Sequence, residues 1–464
     1  MRGFRSLIAH LRPSPDQNPL AEPTFAPLRG DLLSAAQLDA HAYTLADDHR
    51  TAAVRPSGGD PLRAALERDG RQIATAHQRL GEDLRRHELI SPAAEWLIDN
   101  FHVVNEQIRA IRHDLPPGYY RQLPKLRDGP LAGLPRVYAV ALELIGHTDG
   151  RVDAETLLRF LNAYQSVTPL RMGELWAVPI MLRIGLVKNL SRLAAQVLQV
   201  RELRHEADTW AEQLLGAPGE DVDEASVLRA LTRRHPALPV TLAAQLLRRL
   251  RAHEGEHDIG RLVTWLETQP VTPHETVESL VHEEHQRQAA NQVSVGNTIG
   301  SMRALSALDW PDWFEQVSQI ELLLRRDPAG AYGRSTFATR DRYRHAVEDL
   351  AHRARLSEDE VARRLIARAA AAPGDDLRRR HIGYYLENHG RPAFEADLGY
   401  RPTPAERVRR VAQDHPTPLY LGAISLATAT TVAAGLRLAG FAGAKDQPKM
   451  RLAGFAGAKD QPKM

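Results

Sequence analysis

Between the Ser-Pro pair at 91–92 and the Pro-Pro-Gly triplet at 116–118, apolar residues recur at Leu97, Phe101, Val104, Ile108 and Ile111. Steps of three and four put them on one face of an α-helix; a strand would scatter them over both faces. Ser91 stands where an N-cap accepts a backbone N–H, and Pro92 where a missing N–H costs nothing. Pro116-Pro117-Gly118 stops the pattern. The same grammar predicts helices over 34–49, 135–146, from the Asp153 cap to Val167, and over 175–200, 224–234, 239–254, 273–308, 311–325, 339–354, 357–372 and 376–389. Alternating runs are almost absent and no repeat period stands out. The expected fold is all-α, an irregular multi-helix array or bundle with one membrane helix near the C-terminus.

The organisation follows from the breaks. Residues 1–60 are Pro-rich at their start, carry one short helical pattern, and read as disordered or loosely attached. Pro56-Ser57-Gly58-Gly59-Asp60-Pro61 is a linker signal. Pro218-Gly219 is the best internal boundary, dividing a first helical domain at 61–217 from a second at 218–400. A basic linker occupies 401–415. The run 416–436, PTPLYLGAISLATATTVAAGL, carries no charge and has the length of a membrane helix, although it is rich in Ala, Thr, Ser and Gly. Arg407, Arg409 and Arg410 before it favour a cytoplasmic N-terminal side, and Arg437, Lys445 and Lys449 after it weaken that orientation. In the tail, 437–464, the sequence RLAGFAGAKDQPKM occurs twice without change. Two perfect copies with no packing pattern point to a DNA duplication or a reading-frame accident.

Charge and cysteine content exclude several function classes. Lys+Arg 60 against Asp+Glu 58 is too balanced for a nucleic-acid footprint. With no Cys there is no disulfide framework, thiolate-bound zinc, iron–sulfur cluster or thiol nucleophile. Only six residues are Lys, two of them (Lys125 and Lys188) in the first 436 residues, so the tail is foreign to the body in composition. Residues 1–11 have no apolar core of a signal peptide, which starts the body in the cytoplasm.

Several motifs carry chemistry in principle. His253-Glu254-Gly255-Glu256-His257 matches H-E-x-x-H, which needs two imidazoles one helical turn apart and a Glu base, with Glu275 or Glu278 imaginable as a third ligand. Gly255 inside the motif favours a frayed helix end, so a zinc hydrolase at His253 and His257 is the weak reading. Asp221-Val222-Asp223 has the Asp-x-Asp form of a metal–nucleotide site but lies in a Pro-Gly break, where carboxylates cap the next helix. Asp99-x-x-His102 with Glu95 and Glu106 needs a second Glu/Asp-x-x-His helix, and His282-Glu283-Glu284-His285 is the one partner in view. A helix contact is the stronger reading. Gly296-Asn297-Thr298-Ile299-Gly300-Ser301 lacks the Lys of a phosphate loop and reads as small residues allowing close helix approach, with Asn291, Gln292 and Asn297 pairing across it. Arg325, Arg326, Arg334, Arg340, Arg342 and Arg344 suit a phosphate or carboxylate, but internal ion pairs, with Asp327 and Asp341 as counter-charges, are favoured. Tyr119 and Tyr120 read as packed side chains.

The segments SPAAEWLIDNFHVVNEQIRAIRHDLPPGYYRQLPKL, GPLAGLPRVYAVALELIGHTDGRVD, MGELWAVPIMLRIGLVKNLSRLA, NQVSVGNTIGSMRALSALDW and LRRDPAGAYGRSTFATRDRYRHAVEDLA occur in this order. Together they resemble the N-terminal region of bacterial cyclic β-1,2-glucan synthases, of the glycosyltransferase family 84 type. PTPLYLGAISLATA looks like the start of that family's first membrane segment, so the resemblance covers roughly 30–430. It implies a very large inner-membrane enzyme that transfers glucose from UDP-glucose, with a divalent metal, onto a protein tyrosine and closes the glucan into a ring. It implies as partners a catalytic glucosyltransferase module, a phosphorylase-like module and the membrane, with the body on the cytoplasmic side. The metal-binding and acceptor-binding motifs of such enzymes lie beyond the first membrane segment, so no catalytic, cofactor-binding or metal-binding residue is carried over. The function expected is a truncated helical scaffold or regulatory region of such a synthase. The alternative is a free-standing, membrane-associated helical interaction protein.

Overall fold

A computed structural model describes residues 30–52, 60–88, 90–216, 223–253, 259–268, 277–404, 406–407 and 416–443. The linker at 56–59, the break at 218–219 and residues 444–464 of the duplicated tail lie outside these. In order, the helices are α1 (Ala35–Asp48), α2 (Pro61–Arg85), α3 (Pro92–Asp99), α4 (Phe101–Asp114), α5 (Pro117–Gln122), α6 (Arg136–His147) and α7 (Ala154–Gln165). Next come α8 (Met172–Leu215), α9 (Glu224–Arg234), α10 (Val240–Ala252), α11 (Gly260–Thr268), α12 (Val277–Ala307), α13 (Trp310–Val317) and α14 (Gln319–Leu324). The chain closes with α15 (Phe337–Ala354), α16 (Glu358–Ala370), α17 (Leu377–Arg380), α18 (Gly383–Glu387), α19 (Arg391–Leu398) and α20 (Pro416–Gly443). The only strand pairing among the described residues is a two-residue antiparallel contact, Thr51 with Leu126 and Ala52 with Lys125. The architecture is all-α.

Local chemistry sets the starts and stops. Ser91 accepts the Ala94 N–H and Pro92 opens α3. Asp153 accepts from Thr156 N at the head of α7, and Thr336 from Thr339 N at the head of α15. The single helix expected after Ser91 is two. Asn100 leaves the helical region (φ −107, ψ 11), turns its Nδ2 to the Trp96 carbonyl at 2.9 Å, and separates α3 from α4. Ser318 does the same between α13 and α14, its Oγ accepting from Glu321 N at 3.2 Å. Asn and Ser offer the backbone a local partner and so interrupt a helix where its apolar period continues.

Three apolar cores result. The first is built from α1–α7, the N-terminal half of α8, the C-terminal half of α12, and α13. The second takes the C-terminal half of α8 with α9, α10 and α11. The third is made by α14–α16, α18 and α19. At 1.5 Å per residue, α8 spans about 66 Å and runs through two of them. The return of α12 closes the first core over the turn between α6 and α7. There Ser301 Oγ donates to Gly150 O at 2.8 Å and accepts from Val152 N at 2.7 Å, while Ser294 Oγ donates to Asp149 at 2.6 Å. Gly150 is required at φ +76, where an added Cβ would also stand 2.6 Å from Thr298 Oγ1.

The membrane helix expected over 416–436 is overturned. A helix of 28 residues does form there, Pro416–Gly443, but no described helix is long and apolar enough to cross a membrane. The length is present and the apolarity is not. Residues 416–436 hold five Ala, four Thr, two Gly and a Ser, which dilute the contribution of Leu419, Leu421, Ile424 and Leu426. Thr428 donates to Ile424 O at 2.9 Å and Thr431 to Ala427 O at 2.8 Å, so these hydroxyls are satisfied by helix carbonyls. That keeps the helix intact without making it apolar.

Candidate functional site

Two places concentrate polar groups inside the body. The first is the N-terminus of α8, where unpaired N–H groups favour carboxylates. Glu174 accepts the Arg171 N–H at 3.0 Å, and Glu358, from the first turn of α16, accepts the Met172 N–H at 2.9 Å. Arg136, at the start of α6, grips Glu174 with a two-pronged contact, Nε to Oε1 at 2.9 Å and Nη2 to Oε2 at 2.6 Å, both side chains buried. Tyr119 Oη donates to Gly173 O at 2.5 Å. Burial, with Glu348 nearby, pushes Glu358 up to about 7 against the opposing pull of the Met172 N–H. This junction ties the first core to the third.

The second place was not singled out from the sequence. On α6, Glu143 and His147 stand one turn apart, and His41 of α1 comes over them. His41 Nε2 lies 2.9 Å and His147 Nε2 3.4 Å from the same Glu143 oxygen. The two rings meet edge to face, centroids 4.5 Å apart. His147 Nδ1 lies 2.8 Å from the Asp31 carbonyl oxygen. The strap carrying that carbonyl is bonded along α6, Gly30 N to Gly146 O at 2.9 Å and Leu33 N to His147 O at 3.2 Å. Gly30 leaves room for the imidazole, because a Cβ there would stand 2.5 Å from its Cε1. Burial opposes the Glu143 charge, but bonds with both imidazoles outweigh it and hold the carboxyl down at about 2. A groove of about 330 Å³ opens beside His147, between Leu33, Asp39, Arg151 and Arg159. The Glu-x-x-x-His spacing on α6 was visible in the sequence, but His41 lies 102 residues from Glu143, and nothing local joins them.

The sequence-derived candidates are absorbed by architecture. His253 is the residue after α10, its Nδ1 3.0 Å from Arg249 O; Glu254 to His257 and Glu275 lie outside the described residues, as does the Glu278 side chain. Asp223 caps α9 by accepting from Ser226 N at 3.1 Å, and Asp221 lies outside. Glu95, Asp99, His102 and Glu106 are all exposed, so the helix contact expected of them does not form. Across from them, Glu284 is taken by Thr241 at 2.8 Å and Arg204 at 3.2 Å. On α12 the close approach comes from hydroxyls and not from the glycines. Gly296 and Gly300 face nothing within 4 Å, and Gln292 is exposed. Asn297 donates to Asp149 O at 3.3 Å, and Thr298 pairs with Asn189 at 3.1 Å.

Four of the six clustered Arg, Arg325, Arg340, Arg342 and Arg344, form internal ion pairs, mainly with acids other than those expected. Arg344, fully buried, meets Glu321 at 2.7 Å, Glu315 at 3.3 Å and Asp341 at 3.2 Å. Arg325 and Arg340 reach Glu315 at 3.0 and 2.8 Å, and Arg342 reaches Glu387 at 3.0 Å. Asp327 serves the backbone instead, accepting from Ala331, Tyr332 and Ile382 N and lying 2.9 Å from His381 Nδ1. Tyr120 is buried beneath Lys125, whose Nζ lies 4.6 Å from the ring centre.

Tyr119, Arg136, Glu143, His147 and Glu174 lie in the segments whose order gave the family resemblance, while His41 and Glu358 lie outside them. No protein-family model matches the chain. The chain is similar to the cyclic beta-(1,2)-glucan synthase NdvB of Rhizobium meliloti (strain 1021), with 34% identity over 349 residues. The resemblance to the cyclic β-1,2-glucan synthases is shown. The match takes in 74% of this chain and spans 12% of the length of that synthase.

Proposed function

We propose that this chain is the helical scaffold of a cyclic β-1,2-glucan synthase. It would position a catalytic module that transfers glucose from UDP-glucose, with a divalent metal, and a phosphorylase-like module that sets glucan length. We place its body on the cytoplasmic face of the bacterial inner membrane, beside the rest of the synthase. The observation that carries this reading is the junction at the head of α8. There Arg136 and Glu174 satisfy each other, while Glu358 and Tyr119 bond to the Met172 N–H and the Gly173 carbonyl. These are groups that tie four helices, α5, α6, α8 and α16, together, which is a structural use of polar side chains. The fate of the motif residues supports it further, since Asp223, His253 and the Arg344 cluster all serve caps, turns or ion pairs.

The test supplies the chain to a related synthase expressed without its matching region. Co-purification and restored incorporation of label from UDP-glucose into glucan are expected, with no incorporation by the chain alone. Glucan made by the isolated chain, or failure to associate with the truncated synthase, overturns the scaffold reading.

A further inference from the structure

The polar constellation between α1 and α6 has a property that the junction at α8 lacks: with both imidazoles neutral, its donors and acceptors do not balance. A neutral imidazole has one N–H and one lone pair. The Asp31 carbonyl, 2.8 Å from His147 Nδ1, can only accept, so it takes the His147 N–H. His147 Nε2 then presents its lone pair to a Glu143 oxygen 3.4 Å away, which is itself an acceptor. His41 Nε2 is aimed at that same oxygen from 2.9 Å. A positive charge at the Nε2 face of His147 relieves this, and either a second proton on the ring or a metal ion in its place supplies it.

The arrangement has the parts of a transition-metal site. Two imidazole nitrogens and a carboxylate oxygen lie within 4.8 Å of one another. Ligand bonds of about 2.0–2.2 Å in a tetrahedron place donor atoms roughly 3.3–3.6 Å apart; the 3.4 Å separation falls in that range and the 2.9 Å one a few tenths of an ångström short of it. A ligating His characteristically gives its other N–H to a backbone carbonyl, which fixes the tautomer and ring orientation; Asp31 does this for His147. The strap at Gly30–Leu33, bonded at both ends along α6, holds that carbonyl in place. Nitrogen-rich donors with one carboxylate select zinc-class ions over magnesium or calcium.

The only other such grouping among the described residues, Asp83, Glu88 and His205, has its Asp83 carboxylate engaged by Arg201 on both oxygens, so a guanidinium already supplies the charge there.

We propose that His41, Glu143 and His147 bind one zinc-class divalent ion, through the two Nε2 atoms and a Glu143 oxygen. The ion pins α1 and its strap onto α6. The fourth position falls to water.

The experiment uses the full chain, stripped with a chelator and titrated with Zn2+, with Co2+ as a spectroscopic probe. One tight equivalent, a tetrahedral Co2+ ligand-field spectrum and a raised Tm are expected. His41→Ala and Glu143→Gln, both at half-buried positions, should lose the Co2+ spectrum and the Tm shift while keeping the helical circular dichroism of the wild type. A His253→Ala/His257→Ala double variant should keep both and so separates this site from the H-E-x-x-H motif. No uptake by the wild type overturns the proposal. So does uptake that survives His41→Ala and Glu143→Gln, or that disappears with the His253/His257 pair.

Discussion

The two halves of α8 have the same backbone and opposite surroundings. From Met172 to Val197 nearly every residue is buried, including Glu174, Lys188 and Asn189. Beyond it only Ala207, Ala211 and Leu214 are, a single stripe at helical spacing. The first half is a core helix wrapped on all sides, and the second is an amphipathic helix lying on a smaller core. The difference decides what a charge costs. In the first half a charge must arrive with its partner already in place, as Glu174 does with Arg136. In the second half a charge on the outward face is screened by water, as for Glu202 with Arg79, where both side chains are more than half exposed, while Arg201 and Arg204 still meet the buried carboxylates of Asp83 and Glu284.

The largest effect should come from separating the buried pair. Arg136→Met leaves the Glu174 carboxylate buried with its charge uncompensated and should destabilise the first core by about 3–5 kcal/mol, read from chemical denaturation. A loss under about 1 kcal/mol would mean that water reaches this end of α8, and the contrast between the halves would fail.

A smaller effect should appear as a pH slope. Glu358 is raised to about 7 by burial, with Glu348 adding to it and Arg171 opposing it. The protonated form is therefore favoured in the fold over the unfolded chain. Its contribution is full below the ordinary Glu range and is lost as pH rises through about 7. Tm should fall between pH 5 and pH 8 more steeply in the wild type than in Glu358→Gln. Equal slopes would show that the junction is wetter than its geometry implies.

The smallest effect should come from the exposed pair. Arg79→Ala should cost no more than about 1 kcal/mol by the same denaturation measurement. A loss as large as that of Arg136→Met would erase the distinction between the halves.

What was legible in the sequence was local. Ser91, Asp153 and Asp223 were readable as caps because a cap is a relation across three residues. The boundaries of α6 and α9 followed from apolar period and flanking Pro or Asp. The breaks at Asn100 and Ser318 were not readable, because the apolar period runs through them and only the side-chain bonds to Trp96 O and Glu321 N show the interruption. The membrane helix failed because absence of charge was weighed above hydropathy, and Thr and Ala supply the first without the second. The ion pairs of Arg344 with Glu315 and Glu321 join residues more than twenty positions apart, and the histidine pair His41–His147 joins residues more than a hundred apart. Separations of that kind leave no mark on local pattern.

The return of α12 into the first core has a consequence for how the molecule is made. That core includes Val295, Ile299, Met302, Leu305, Trp313, Phe314 and Val317 as well as residues up to Val197. On a ribosome, the segment ending at Val197 emerges with an apolar flank open and waits for about 120 more residues before the missing wall arrives. At about 5–20 residues per second the delay is roughly 6–24 s, long against helix formation. During that interval the nascent chain presents the groove that α12 will fill, an apolar surface of the kind that leaves a folding intermediate open to aggregation.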